Sequence, residues 1–316
     1  MRKTCLDMVY ELARKEERIF FIGSDLGVGT LKQFKAEMPD RFLMEGVSEA
    51  NIVGVAAGLA LEGKIVYVNT IATFLTRRCF EQVALDLCLH NVNVRLIANG
   101  GGVVYAPLGP THEAIEDIAI FRALPRMTII APADAEEMRR LMPATVDHRG
   151  PIYIRLAKGG DPIVTNDRVP FQIGRAFPMR EGSDALIVTT GIMLKAALDA
   201  ATSLEAFGIE AAVLHVPTVK PFDHETFLEL AAPVRTIVVA EEHTVIGGLG
   251  STVAEIIAET DFQTPKRFKR IGIPDVFPDQ YGSQATLLKR YEITAEKIAS
   301  VVQQLSQTHS TAASPA

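Results

Sequence analysis

Residues 44–63 read MEGVSEANIVGVAAGLALEG and set Glu49 at the start of a stretch that is otherwise small and apolar between glutamates near its ends. A carboxylate placed in such a setting has its proton affinity raised and can share a proton with a weakly basic group. The same residue also suits a plain structural role, because Ser48 is a good helix cap and an acid in the first turn meets the positive end of the helix dipole. Other chemistry-bearing residues sit in short loops: Asp25 in GSDLGVG, Phe74, Arg77 and Arg78 in NTIATFLTRR, His112 in NGGGVVYAPLGPTHEAIED, and Arg155 in RLAKGG. Each has an ordinary alternative. The glycines at 100–102 match neither GxGxxG nor GK[ST] and could simply make a turn. Phe74 and Phe80 lie at helical spacing, which suits a core. His112 and Glu116 could share a helix face, but HEAIE is not HExxH and has no third ligand, so no metal site is assigned. Arg155 could be a surface ion pair, and His215 and His243 are undecided.

These residues must be held by elements that the rest of the sequence supplies. With 316 residues, 48% hydrophobic and 22% charged, the chain fits two domains with substantial cores. A net charge of −6 lacks the basic surplus that nucleic acid or an anionic membrane surface calls for. Cys5, Cys79 and Cys88 have no paired spacing, so neither a disulfide framework nor a zinc site is expected, and a reducing cytoplasm fits best. The N-terminal MRKTCLDMVYELARKEER is broken by Asp7 and Glu11 and has the period of an amphipathic helix rather than a signal peptide. No apolar run is long enough to span a membrane.

The runs ERIFFIGSD, KIVYVNT, NVRLIANG, MTIIAPAD and PIYIRL read as strands, with helices expected over 48–61, 78–90 and 135–146, the last capped by Asp134. Their alternation predicts a parallel sheet covered on both faces. The Gly-, Pro- and charge-rich residues 157–184 mark a break, followed by strands in DALIVTTG, EAAVLHVPT, RTIVVAEEH and FKRIGIPD and helices near 193–207, 223–231 and 248–259. The fold class is therefore α/β with two doubly wound domains: 1–160, a linker over 161–183, 184–305, and a polar tail at 306–316 read as disordered.

Taken in order, SDLG, GVSEANIVGVAAGLALEG, TFLTRRCFEQ, GPTHEAIEDIAIFRALPRMTIIAPADAEEM and PIYIRL resemble the pyrimidine-binding domain of transketolases, and residues 184–275 resemble their C-terminal domain. GPTHEAIED followed by FRALPRMTIIAPAD is the most specific part, since it separates this branch from the beta subunits of 2-oxoacid dehydrogenases. The resemblance implies thiamin diphosphate with Mg2+, and two-carbon ketol transfer between a ketose and an aldose phosphate such as glyceraldehyde 3-phosphate. It implies that Glu49 bonds a ring nitrogen of the thiamin pyrimidine and favours its imino tautomer. Phe74 becomes the stacking platform, with Phe80 and Arg77 beside it, and Asp25 lies near the thiazolium. His112 meets substrate hydroxyls and assists proton transfer, while Arg155 and Arg2 hold the acceptor phosphate.

The departures from the family are equally informative. The chain has no GDG followed by the asparagine that holds magnesium and diphosphate, and too few residues precede Glu49 for another domain. The resemblance then implies the C-terminal subunit of a split transketolase, in an α2β2 heterotetramer with an N-terminal subunit that carries the GDG-to-Asn motif. Leu108 stands in YAPLGPTH where the family reads a sugar hydroxyl with an acid, and the glycine run at 100 replaces a phosphate-binding histidine, so the donor sugar is open among pentose, apulose and deoxysulfosugar phosphates. The competing expectations are decarboxylation like that of 1-deoxyxylulose-5-phosphate synthase or a 2-oxoacid dehydrogenase beta subunit, and, from another class, a non-catalytic scaffold.

Overall fold

The computed structural model describes residues 1–23, 31–166 and 170–307, so Asp25 and the end of the expected tail lie outside the described residues. Twelve strands are described: β1 Ile19–Gly23, β2 Phe42–Met44, β3 Ile65–Ile71, β4 Val94–Asn99, β5 Thr128–Ile130, β6 Ile152–Leu156, β7 Phe177–Arg180, β8 Ala185–Thr189, β9 Ala211–His215, β10 Thr218–Lys220, β11 Thr236–Thr244 and β12 Arg267–Ile273. They form a seven-stranded sheet in the order β10-β5-β6-β4-β3-β1-β2 and a five-stranded sheet in the order β12-β11-β8-β9-β7. Pairing is parallel throughout except for β10 on β5 and β7 on β9.

The sequence dictates this two-faced burial. Nearly continuous apolar runs leave no polar side to face water, so each sheet must be covered twice. Val66 and Val68 pack into one cluster with Leu96 and Ala98, while the intervening Ile65 and Tyr67 pack into another with Ile97 and Ile154. In the second sheet Ile187, Val213 and Val238 face one cluster, and Val188, Leu214 and Ile237 the other. The period-two alternation is what puts successive residues into different layers.

Two strands stand where the sequence did not announce them, and one of them ties the halves together. Strand β7 lies within the stretch read as a linker and closes the edge of the second sheet, and β10 leaves the second half to pair with β5 of the first sheet. The helix Ala295–Gln307 runs into the stretch read as a tail. Among the described residues no helix is long and apolar enough to cross a membrane, and Cys5, Cys79 and Cys88 are free and buried.

The order in which strands are added reverses beside β1: β2 lies on one side of it and β3 on the other, all three parallel. A crevice outside the carboxyl ends of the strands forms at such a reversal. The helix Glu49–Leu61 enters there after β2, and the short helix Ala72–Thr76 leaves directly from β3.

Candidate active site

Glu49 opens its helix and is 2% exposed. The expected cap does not form. The Ser48 hydroxyl donates back to the Glu45 carbonyl at 2.9 Å instead of accepting from the first turn. The helix buries Ile52, Val53, Ala56 and Ala57 and presents Asn51, Gly54, Val55 and Gly58 outward. Its start is thus fixed by packing and by the dipole favouring an acid.

Across from Glu49 lies the turn after β3. Arg78 donates from Nη1 to Glu49 Oε2 at 2.5 Å, and its Cζ stands 4.2 Å from the centroid of the Phe74 ring. Phe74 meets the His112 ring edge-on, with centroids 5.3 Å apart. The structure therefore brings Glu49, Phe74 and His112 to one place, with Arg78 between the first two. His112 Nδ1 shares a 2.9 Å hydrogen bond with the Thr111 hydroxyl, so Nε2 is the ring atom left to meet a substrate.

Arg77 and Phe80 are placed differently from the expectation. The Arg77 guanidinium donates to the Pro110 carbonyl at 3.0 Å and the Glu113 carbonyl at 2.8 Å, and pairs with the Glu116 carboxylate. It holds the loop that carries His112. The expected helix over 78–90 is a short helix Phe80–Gln82 that opens into a π-helical segment Val83–Leu89. The wider winding brings Val83, Leu87 and Cys88 to one buried face, and Phe80 is turned out, 39% exposed.

Arg155 corrects the expectation most clearly. It sits within β6, in register with Ala98 of β4, not beyond the strand's end. It is 7% exposed. Its Nε donates to Asp117 Oδ2 at 2.7 Å and its Nη2 to the Glu242 carbonyl at 2.8 Å, while the Tyr153 hydroxyl donates to the same Asp117 oxygen. Burial opposes the charge, but Asp117 and Glu242 outweigh it and hold the guanidinium above its usual pKa. Such an arginine is committed to the fold.

Lys158 lies two residues beyond the strand end. With Arg2, Asn99, Gly100, Tyr105 and Pro107 it lines a cavity of about 220 Å³. Arg2 begins the first helix, which Met1 anchors by burial in the core, and a Cβ on Gly159 would come 3.6 Å from the Met1 nitrogen. Asn99 links the cavity to the carboxyl end of β3, donating to Asn69 Oδ1 at 2.8 Å and the Thr70 carbonyl at 2.9 Å.

Two further carboxyls were not singled out from sequence. Glu113 is fully buried with no partner on either oxygen among the described residues, and burial pushes it up to about 7 against the pull of Arg77. Glu242, from the second domain, is likewise raised to about 7 by burial, against Arg155 and the donors of Gln284 and Val103. His215 is settled as structural, bonded to Glu137 across the domains at 2.9 Å, and His243 accepts from the Ala119 amide at 3.3 Å. Among the described residues no group of three His, Cys, Asp or Glu side chains stands together as a metal site.

Residues 1–160 match the transketolase pyrimidine-binding domain and residues 174–298 the transketolase C-terminal domain. The chain belongs to the transketolase family. It is 40% identical over 296 residues to a putative transketolase family protein of Sinorhizobium fredii, covering 93% of this chain and 85% of that one. It is 38% identical to the 6-deoxy-6-sulfo-D-fructose transketolase subunit of a Clostridium species, covering 94% and 92%. A 1-deoxy-D-xylulose-5-phosphate synthase of Geobacter sulfurreducens is 39% identical, but this chain spans only 46% of it. Among solved structures, a split-gene transketolase described as an inactive β4 tetramer superposes with a TM-score of 0.87 at 38% identity, covering 97% of this chain and 98% of that one.

Proposed function

We propose that this chain is the pyrimidine-binding subunit of a two-chain, thiamin diphosphate-dependent transketolase, and that its partner holds the diphosphate and Mg2+ in an α2β2 assembly. The observation that carries the reading is the convergence of a buried Glu49, the Phe74 ring and His112 at one crevice. The residues fit the cofactor. Arg78 already lays a flat, nitrogen-bearing group against Phe74 and donates from it to Glu49, so the pair accepts the shape and the donor that an aminopyrimidine offers. Full-length relatives of this fold, and the split-gene enzyme that covers nearly the same chain length, support the division into two subunits.

Thiamin diphosphate, when bound, supplies the electron sink needed to break and re-form a carbon–carbon bond beside a carbonyl. Glu49 presents a buried carboxyl oxygen that, as it does now toward the Arg78 guanidinium, can pair with a ring nitrogen of the pyrimidine. Phe74 provides an apolar platform that excludes water from that carboxyl. His112, with Nδ1 occupied by Thr111, presents Nε2 to a substrate hydroxyl and can carry its proton. Arg77 fixes the loop that positions this imidazole. Arg2 and Lys158 receive the phosphate of an aldose phosphate such as glyceraldehyde 3-phosphate.

Leu108, 49% exposed beside the cavity-lining Pro107, gives the sugar-binding side an apolar contact in place of a hydrogen-bond acceptor. That favours a modified donor of the kind named for the relatives, a deoxysulfosugar or apulose 4-phosphate. Decarboxylation like that of the 1-deoxy-D-xylulose-5-phosphate synthases is the second reading, favoured by the 39% identity, and pyruvate consumption with release of carbon dioxide would select it. Three free cysteines support a cytoplasmic enzyme.

The test mixes the chain with a GDG-to-Asn partner subunit, thiamin diphosphate and magnesium, and follows ketol transfer to glyceraldehyde 3-phosphate. Activity is expected only with both chains. Glu49→Gln is expected to keep the fold and lose roughly a hundredfold or more in rate. Turnover of a ketose phosphate by the chain alone would refute the two-chain reading, and a near-normal Glu49→Gln rate would return Glu49 to a helix-end charge.

A further inference from the structure

We infer that Glu242 and Gln284 of the second domain form a strut that holds the 100–105 loop of the first and so sets the shape of the Arg2 and Lys158 cavity. The inference rests on the reading of that cavity as the acceptor-phosphate site. Strand β11 ends in three buried titratable residues, of which Glu241 is used within the second domain and His243 joins the strand end to the Ala119 amide. Glu241 accepts from the Leu249 and Gly250 amides at 2.8 and 2.9 Å, closing the start of the helix Leu249–Glu259, and His243 Nδ1 meets the Thr244 carbonyl at 2.7 Å.

Glu242 does something else. Its side chain leaves its own sheet and accepts from the Val103 amide at 3.0 Å, and Gln284 Nε2 donates to the same oxygen at 2.8 Å. The loop is folded tightly onto this carboxylate. Gly102 has φ +68°, and a Cβ there would lie 2.5 Å from Glu242 Cδ. A Cβ on Gly101 would lie 2.5 Å from Arg155 Cγ, and one on Gly100 would run into the Tyr105 ring. The three glycines are therefore required by three side chains packed against them, and the turn they make delivers Gly100 and Tyr105 to the cavity wall.

A glycine run has little side chain to pack and the largest backbone entropy to lose, so its conformation depends on bonds from outside. Val103 is the loop's anchor to the second domain, and the Glu242 carbonyl, bonded to Arg155, fastens the same point to β6. The second domain thus reaches the substrate side without lining it. Glu242 and Gln284 are positioning residues.

In the two-chain enzyme, Glu242→Ala is expected to raise the KM for glyceraldehyde 3-phosphate about tenfold, the scale of leaving a buried amide unpaired, while kcat and the KM for unphosphorylated glycolaldehyde stay within about twofold. Glu242→Gln retains an accepting oxygen and should restore the phosphorylated KM. Gln284→Leu should move it in the same direction by less, and serves where Glu242→Ala fails to fold. Hydrogen exchange of the 99–106 segment, read by mass spectrometry, should accelerate in both disruptive variants. An equal rise for both acceptors, or parental exchange in that segment, would overturn the strut. Lys158→Ala and Arg2→Ala run beside them: unchanged phosphorylated KM in those two, with faster exchange in Glu242→Ala, would sink the cavity reading and leave only an interdomain bond.

Discussion

Arg155 and Lys158 lie three positions apart in RLAKGG and are expected to fail in opposite ways when truncated. Arg155→Ala removes the guanidinium that pairs with Asp117 at 2.7 Å, leaving a fully buried carboxylate with the Tyr153 hydroxyl as its remaining donor. Stranding a buried charge in this way costs about 3–5 kcal/mol. At about 2–4 °C per kcal/mol for a domain of this size, Tm should fall by roughly 6–20 °C. Lys158 is exposed, so its replacement by alanine should leave stability within about 0.5 kcal/mol. It should instead remove a charged hydrogen bond to phosphate worth about 1.5–3 kcal/mol, a rise in KM for a phosphorylated acceptor of roughly tenfold to a hundredfold. Calorimetry on each variant and saturation kinetics on the two-chain enzyme separate the effects. A parental melt for Arg155→Ala together with weakened acceptor saturation, or an unchanged KM in Lys158→Ala, would refute the assignment.

Arg78 competes with any planar group for Phe74 and Glu49, so Arg78→Leu should bind thiamin diphosphate about tenfold more tightly in the assembled enzyme, measured by titration calorimetry; weaker binding would show that Arg78 helps to hold it. Glu113 and Glu242 are both raised by burial from 4.5 to about 7, so the folded state binds their protons more tightly than the unfolded chain does. Their contribution to stability is then full below about pH 4.5 and lost as pH rises through about 7. Urea unfolding across this window should show the decline, and Glu113→Gln and Glu242→Gln should each flatten part of it; identical pH slopes in parent and variants would contradict the burial argument.

The strands and the Asp134 cap were legible because each is a local statement: an apolar run of the right length, or an acid whose side chain meets the Glu136 and Glu137 amides. That Glu49, Phe74 and His112 would share one crevice was legible because the motifs put each of them after the carboxyl end of a strand, and strand order fixes the crevice. What failed depended on direction or on distant chain. Arg155 was given the phosphate through the family resemblance, but it lies inside the ladder with its guanidinium on Asp117, whereas Lys158, past the strand, lines the cavity. Arg77 and Arg78 are adjacent, yet a helical turn sends one to the loop carbonyls and the other to the carboxylate, which spacing alone does not decide.

The glycine run shows why the remaining part could not be read locally. Its three missing side chains answer to Tyr105 nearby, to Arg155 on another strand, and to Glu242, which enters from the other domain. A sequence records that three residues there have no side chains, which fits a phosphate turn, a tight hairpin and a crowded junction equally well. The choice among these belongs to the neighbours. With Glu242 on Val103, the shape of the turn that brings Gly100 and Tyr105 to the cavity wall depends on the second domain as well as on its own residues. That is also why a loss at Glu242 should be felt in acceptor affinity before it is felt in turnover: the strut touches the wall of the cavity and none of the groups that move protons.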